Sequence, residues 1–504
     1  MFTRRDFLRL SGLVASAATL AACQPVYARL GGSTETGAYP AGGLLPPGEY
    51  RKLARLTFGA RPSELRRAAE IGLAGWLEEQ LAPDLLDDAP LDWRLRGFPI
   101  LQQTPDDVYN RGERLFDGMD TAAILAEMKA LVIVRQVYSR RQLFEQMADF
   151  WTDHFNISMD KEDVWYLKPA DDRDVIRRHA LGSFRALLQA SAHSPAMLTY
   201  LDNQANLATA PNENYAREVM ELHTLGVDGG YTQTDVMELA RCFTGWTVKT
   251  NWRRGEFEFN PDFHDQGVKT ILGEQIEPGG MAEAETVLDR LAAHPATARR
   301  LCTKLARRFI RDDPPADIVE RAAAAFQQTG GDIRAVLRVI LLDGLLSAGD
   351  VTPKFKRPLG FVVSAIRQLN AETDGGIGKD QSIHRTLASL GQPPFQWPTP
   401  DGPPDTAAAW MGSLMPRWQF AVQLARNEIG GTHFDAGALL AETGADSLET
   451  FLAAAAPRLL GAPLGDEAAR RLTSALHSAG AGDTPETAQI ITAGLLASPA
   501  FQWT

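Results

Sequence analysis

From Pro62 onward the chain repeats apolar residues at spacings of three and four, the pattern of helices that each bury one stripe. Leu65, Ala68, Ala69, Leu73, Trp76 and Leu77 open it, and the segment from Thr121 to Phe155 sustains it. The same period predicts helices over residues 173–190, 213–225, 232–244, 282–310, 316–328, 332–345 and 358–370. Several starts carry side chains suited to accept from free helix N–H groups: Asn212, the capping-box pattern Thr232-Gln233-Thr234-Asp235, and Asp332 after Gly330-Gly331. Two stretches break the period. Trp246-Thr247-Val248 and Phe257-Glu258-Phe259, with turn residues between and after, predict a small hairpin within 246–276. Gly391 to Pro404 places six prolines in fourteen residues around Phe395 and Trp397 and cannot be helical. Such a loop is either a packed lid or a ligand-facing surface. The pattern predicts an all-α fold, a large multi-helix bundle with one small β-hairpin insertion, and no linker divides residues 49–504.

Ahead of this body the pattern changes. Arg4-Arg5-Asp6-Phe7-Leu8-Arg9 is followed by an uncharged stretch from Leu10 to Ala22 and then by Leu20-Ala21-Ala22-Cys23. A charged start, a short apolar region and a small-residue cleavage site make a secretory signal, and the arginine pair resembles the twin-arginine type. Thirteen residues are too few for a membrane span, which needs about 20. The Leu-Ala-Ala-Cys tetrad resembles a bacterial lipobox, in which Cys23 is lipidated and becomes the first mature residue. The chain then divides into a twin-arginine signal peptide (1–22), a lipidated Cys with a flexible tether rich in Gly, Pro and Thr (23–48), and a single helical domain (49–504). This predicts export to the periplasm or cell surface and a membrane anchor through Cys23. Gln24 after the cysteine favours the outer membrane. The alternative is an ordinary cleaved signal in which Cys23 is incidental. Cys242 and Cys302 lie in helical, partly apolar contexts and are expected as buried free thiols; with no Cys-x-x-Cys pair, a cysteine zinc site is excluded.

The 504 residues are 44% hydrophobic and 23% charged, which excludes a disordered chain, and a net charge of −12 argues against nucleic acid as a partner. Gly-x-Ser-x-Gly, Gly-x-x-x-x-Gly-Lys and His-Glu-x-x-His are all absent. Candidate chemistry comes instead from projecting two helices at about 100° per residue. On the helix from Glu213, Glu218 falls inside the apolar arc of Tyr215, Val219, Leu222 and Leu225, whereas Glu213, Arg217 and Glu221 form an outer ladder. A carboxylate on an apolar face must be paired, ligate a metal or shift its pKa. On the segment ending at Phe155, His154 falls beside Phe144, Met147 and Trp151, while Asp149 and Asp153 point away. His264 sits in the polar run Asp262-Phe263-His264-Asp265 of the expected hairpin. His154, His264 and Glu218 thus suggest a divalent-metal site of zinc or iron type, the bland alternative being satisfied core side chains. Arg300, Lys304, Arg307, Arg308 and Arg311 recur along one helix, near Lys354, Lys356 and Arg357, as an anion-binding face or a solvated, paired one.

The segment Pro211-Asn212-Glu213-Asn214-Tyr215-Ala216-Arg217-Glu218 through Leu225-Gly226, then Tyr231-Thr232 and Phe243-Thr244-Gly245-Trp246, resembles the bacterial domain-of-unknown-function 1800 family. Leu56-Thr57-Phe58-Gly59-Ala60, Trp151 to Asn156, Phe263-His264-Asp265 and Leu390 to Gly402 are similar to it as well, so the resemblance spans roughly residues 50 to 502. It implies a largely helical exported protein of bacterial envelopes and carries no settled activity. Members often have Phe in place of His223, which leaves Glu213, Glu218, His154 and His264 as the stronger candidates. Two readings of function stay open. One is a metal-dependent hydrolase or oxidoreductase, with His154, His264 and Glu218 on the metal and Glu218 and Glu213 in catalysis. The other is a non-catalytic envelope binding or assembly protein that contacts a glycan or protein partner through Lys304, Arg307, Arg308 and the Phe395–Trp397 loop.

Overall fold

A computed structural model describes residues 44–504 apart from 115–120, 379, 381, 479–481 and 483. The expected signal peptide, Cys23 and most of the expected tether lie outside the described residues. Leu44 and Leu45 pack against the core, and a helix starts at Pro47. The fold is mostly helical, and its buried apolar side chains form one connected cluster from Tyr50 to Phe501. Among the described residues no helix is long and apolar enough to cross a membrane.

The Thr121–Tyr138 helix is buried on nearly every side and touches the helices Ala89–Leu95, Pro105–Arg114, Gln142–His154, Val164–Asp171 and Pro358–Gln368. Its last carbonyls would be orphaned in that position. Arg367, fully buried, donates to the carbonyls of Gln136 and Val137, to that of Gly59 and to Glu64. The break at Ser139–Arg141 is bridged by Gln142, which donates to the Gln136 and Ser139 carbonyls and accepts from the Phe58 amide. Gly59 lies against the Pro358–Gln368 helix with φ at +109°, and a Cβ there would stand 2.8 Å from Ser364 Cβ. Only glycine allows that approach.

Helix boundaries differ from the periodic reading where local chemistry intervenes. Residues 282–310 form two helices, Met281–Ala293 and Pro295–Phe309, because Pro295 lacks an N–H and starts a new helix behind His294, whose Nδ1 accepts from the Ala296 amide. Thr232 and Asp235 form the expected capping box, and Asp332 accepts from the Ala335 amide. The helix from Asn214 is α-helical only to Glu218 and continues as a π-helix, Val219–His223. A π-turn bonds i to i+5, so a projection at 100° fails beyond Glu218. The buried face is Val219, Met220 and His223, not Leu222.

The 246–276 segment holds two antiparallel hairpins instead of one. β1 (Trp246–Val248) pairs with β2 (Phe257–Phe259), and β3 (Lys269–Ile271) with β4 (Glu274–Ile276). A third pair, β5 (Glu372–Thr373) with β6 (Thr432–His433), joins distant parts of the chain. The proline-rich loop is a packed lid. Asn156 donates to the Trp397 and Thr399 carbonyls, Tyr200 to that of Pro398, and the Met159 amide to that of Phe395. Gly402, at φ +73°, lies so close to Asp153 that a Cβ would come within 2.1 Å of its carbonyl oxygen. Cys242 and Cys302 are free and buried, and burial pushes both thiols up to about 12.

Candidate functional site

The Gln142–His154 helix buries two sides at once. Phe150, Trp151 and His154 face the aromatic core with Phe155 and Phe184. On the other side Asp149 and Asp153, one turn apart, meet two arginines. Arg308 donates to Asp149 at 2.8 Å and to Asp153 at 2.9 Å; Arg357 donates to the same two carboxylates at 2.8 and 2.5 Å. Arg308 Nε also reaches Asp405 at 2.5 Å, and Lys354 closes the group on Asp312 at 2.7 Å and Asp405 at 3.2 Å. Burial alone would raise Asp405, yet Arg308, Lys354 and Arg357 outweigh it and hold its carboxyl well below the usual range. Asp153 is raised, because burial outweighs the arginines beside it.

The histidines expected as ligands sit in separate surroundings. His154 Nδ1 accepts from Lys304 Nζ at 3.0 Å, and its Nε2–H donates to the His223 carbonyl at 3.1 Å. Burial, then Lys304 and His223, lowers its pKa well below the ordinary value, so the ring is neutral. Burial, then Arg300, brings Lys304 down to about 8. His264 instead joins Glu283 at 3.0 Å and the Thr244 carbonyl at 2.9 Å, and Lys269 donates to the other Glu283 oxygen at 2.5 Å. This second cluster binds β3 to the Met281–Ala293 helix. Glu218 is half-buried, with no hydrogen-bonding or ion-pairing partner among the described residues; burial, then Glu221, raises its pKa. Glu213 lies on the surface, paired to Arg217 at 2.8 Å and accepting from Gln233 at 2.6 Å.

The expected set His154, His264 and Glu218 is therefore not assembled. Both histidines are committed to other partners, and among the described residues no three His, Cys, Asp or Glu side chains are grouped to hold a metal ion. The residues do not fit the divalent metal that the sequence suggested. The expected anion-binding residues already have partners: half-buried Lys304 donates to His154, buried Arg308 to three carboxylates, and half-buried Arg307 to the Asp312 carbonyl at 2.9 Å. Arg311 lies past the end of that helix.

What the structure does assemble is a cavity of about 690 Å³ beside the ion cluster. Its walls come from Tyr50 and Ala54 of the Pro47–Leu56 helix, Leu459 and Leu464 around the end of the Leu448–Leu460 helix, and Pro499 and Trp503. Tyr50, Arg51, Lys356, Gln368 and Thr504 bring polar atoms to this largely apolar wall. Gln368, 2% exposed, donates through Nε2 to Tyr50, whose hydroxyl donates to the Arg458 carbonyl. That direction fixes the amide and leaves Gln368 Oε1 a buried acceptor without a hydrogen-bond partner. Lys356 lines both this cavity and a smaller one, about 80 Å³, over Asp149, Arg308 and Asp405. Its backbone is pinned by Gln502 at 2.8 Å and by Arg417 at 2.8 Å, and its Nζ stands 3.6 Å from the Phe501 ring centroid. Burial, with Arg417 nearby, lowers Lys356 to about 7.

The family profile described as a protein of unknown function (DUF1800) matches residues 51–503. The chain belongs to that family. No curated protein and no solved structure matches it. The match to DUF1800 covers the ion cluster and the cavity walls from Arg51 to Trp503. Of the residues that stand out in the sequence, Lys304 and Arg308 lie one turn apart on the Pro295–Phe309 helix and reach His154 and the Asp149–Asp153 pair, and those two carboxylates lie, as expected, on the side away from His154. Gln368 and Tyr50 carried no signal, because nothing local marks two residues 318 positions apart as partners.

Arg308→Met is expected to lower the unfolding free energy by about 3–5 kcal/mol in urea titration, since it strands buried carboxylates without their cation. Lys356→Met is expected to stabilise. With a native value of about 7 against 10.5 for an ordinary lysine, the unfolded chain holds a proton that the native state has lost between those limits. Wild-type stability therefore rises with pH across that window, by up to about 1.4 kcal/mol per pH unit. The gain from Lys356→Met should be full below pH 7 and fade toward pH 10.5 in thermal melts across that range.

Proposed function

We propose that this protein is an exported envelope lipoprotein that binds an apolar small molecule in the cavity between Tyr50, Leu459 and Trp503. The observation that carries the reading is the cavity itself. Its volume of about 690 Å³ lies within the range of small-molecule sites, its wall is mainly apolar, and Gln368 Oε1 is a buried acceptor without a hydrogen-bond partner in it. Unpaired buried polar groups cost stability unless a ligand or water meets them. Lys356 lies just ahead of the Pro358–Gln368 helix and Gln368 at its far end, and the helix between them is roughly 16 Å long at 1.5 Å per residue, which suits an elongated ligand with a polar group at each end. Binding rather than metal-dependent turnover is the reading favoured, because the histidines and Glu218 are dispersed. Export and anchoring rest on Arg4-Arg5, Phe7-Leu8 and the tetrad ending in Cys23, with the outer membrane favoured by Gln24.

The apolar dye phenylnaphthylamine is expected to bind the full-length protein with a fluorescence rise that saturates at one dye per chain. Ala500 is exposed at the rim, and Ala500→Trp should weaken that binding by about tenfold, or about 1.4 kcal/mol. Unsaturable dye uptake, or no effect of Ala500→Trp, would count against the cavity as the site. For the anchor, Cys23→Ala should move the protein from the membrane pellet to the soluble fraction of fractionated cells; retention in the pellet would remove the lipid reading.

A further inference from the structure

We infer that Lys356 is a nucleophilic amine that captures an apolar aldehyde or ketone as an imine inside the cavity. The inference rests on the reading of that cavity as a ligand site and names the chemistry of its ligand. Other buried lysines nearby are committed: Lys354 to Asp312 and Asp405, Lys304 to His154, and Lys168 to Asp171 at 2.5 Å. Lys356 Nζ alone among these four has no carboxylate, carbonyl or imidazole within hydrogen-bonding distance among the described residues; Phe501 covers it and Arg417 is the charged group beside it. A lysine desolvated next to another cation is the arrangement that frees the amine electron pair at neutral pH. With its value lowered to about 7, a large share of Lys356 is unprotonated at pH 7.5.

The chemistry balances without an oxidant, reductant or metal. Lys356 Nζ attacks the carbonyl carbon and forms a C–N bond, the carbonyl π pair moves to oxygen, and a proton passes from nitrogen to that oxygen. The carbinolamine then loses water as its C–O bond breaks and the C=N bond forms, with the second nitrogen proton leaving with the hydroxyl. The smaller cavity of about 80 Å³, shared by Lys356, has Asp149, Arg308, Arg357 and Asp405 in its wall to hydrogen-bond the released water and is roomy enough to receive it. The apolar remainder of the ligand lies along Tyr50 and Leu459, and a hydroxyl or amine at its far end meets Gln368 Oε1. Capture is reversible, since water re-enters by the same steps.

The full-length protein is incubated with decanal and sodium cyanoborohydride, which reduces an imine to a stable secondary amine. Intact mass and peptide mapping should show one decyl group per chain, on Lys356, added at least about tenfold faster than at any other lysine. The rate should rise with pH around a midpoint of about 7. Lys356→Met should lose the adduct while melting no lower than wild type, and Ala500→Trp should slow it. Labelling spread evenly over the lysines, or an unlabelled Lys356 in a protein that still binds phenylnaphthylamine, would overturn the imine and leave the binding site standing. Displacement of the dye by decanoate and not by decanal, with no adduct, would reassign Lys356 to anion binding. Failure of dye binding together with an adduct on Lys356 would instead remove the cavity reading.

Discussion

Asp149 and Asp153 each receive hydrogen bonds from the same two guanidinium groups, Arg308 and Arg357, in a place where water hardly reaches. Buried charges of this kind leave no freedom of arrangement, because removing any one strands the others. The pairings therefore fix four pieces of chain against one another: the Gln142–His154 helix, the Pro295–Phe309 helix, the Lys354–Arg357 segment and the end of the proline-rich loop at Asp405. Lys356 owes its position to this. Its neighbour Arg357 is held by the carboxylates and its own backbone by Gln502 and Arg417, and its side chain lies against Phe501 between the two cavities.

The helical body was legible because its elements obey local rules. The capping box at Thr232, the cap at Asp332 and the impossibility of helix around Pro393-Pro394 follow from side-chain chemistry a few residues apart. His294-Pro295 was an equally local start signal that periodicity alone overran. The site was legible only in part. The apolar stripe of the Gln142–His154 helix shows Asp149 and Asp153 pointing away from it, and that is where they lie. Their pairing was not legible, because arginines far along the chain supply the partners that make a second buried face affordable for carboxylates.

The same limit explains the histidines. His154 was correctly placed on the apolar side, but its neutrality follows from burial and then from Lys304, 150 residues away, against the opposing pull of the His223 carbonyl at the end of a π-helix. The π-turns themselves shift which residues face inward, and no short sequence pattern announces them. Lys356 lies in a basic run that charge counting treats as a surface feature. Its burial depends on residues 501–504 returning to pair with 354–356, including the bridge between Phe355 and Trp503.

The Pro47–Leu56 helix stands at the start of the folded body and also supplies Tyr50 and Ala54 to the cavity wall. Any tension transmitted along the chain from ahead of Leu44 enters the fold through this helix. Part of the cavity wall and the point where such a load would arrive are thus the same ten residues.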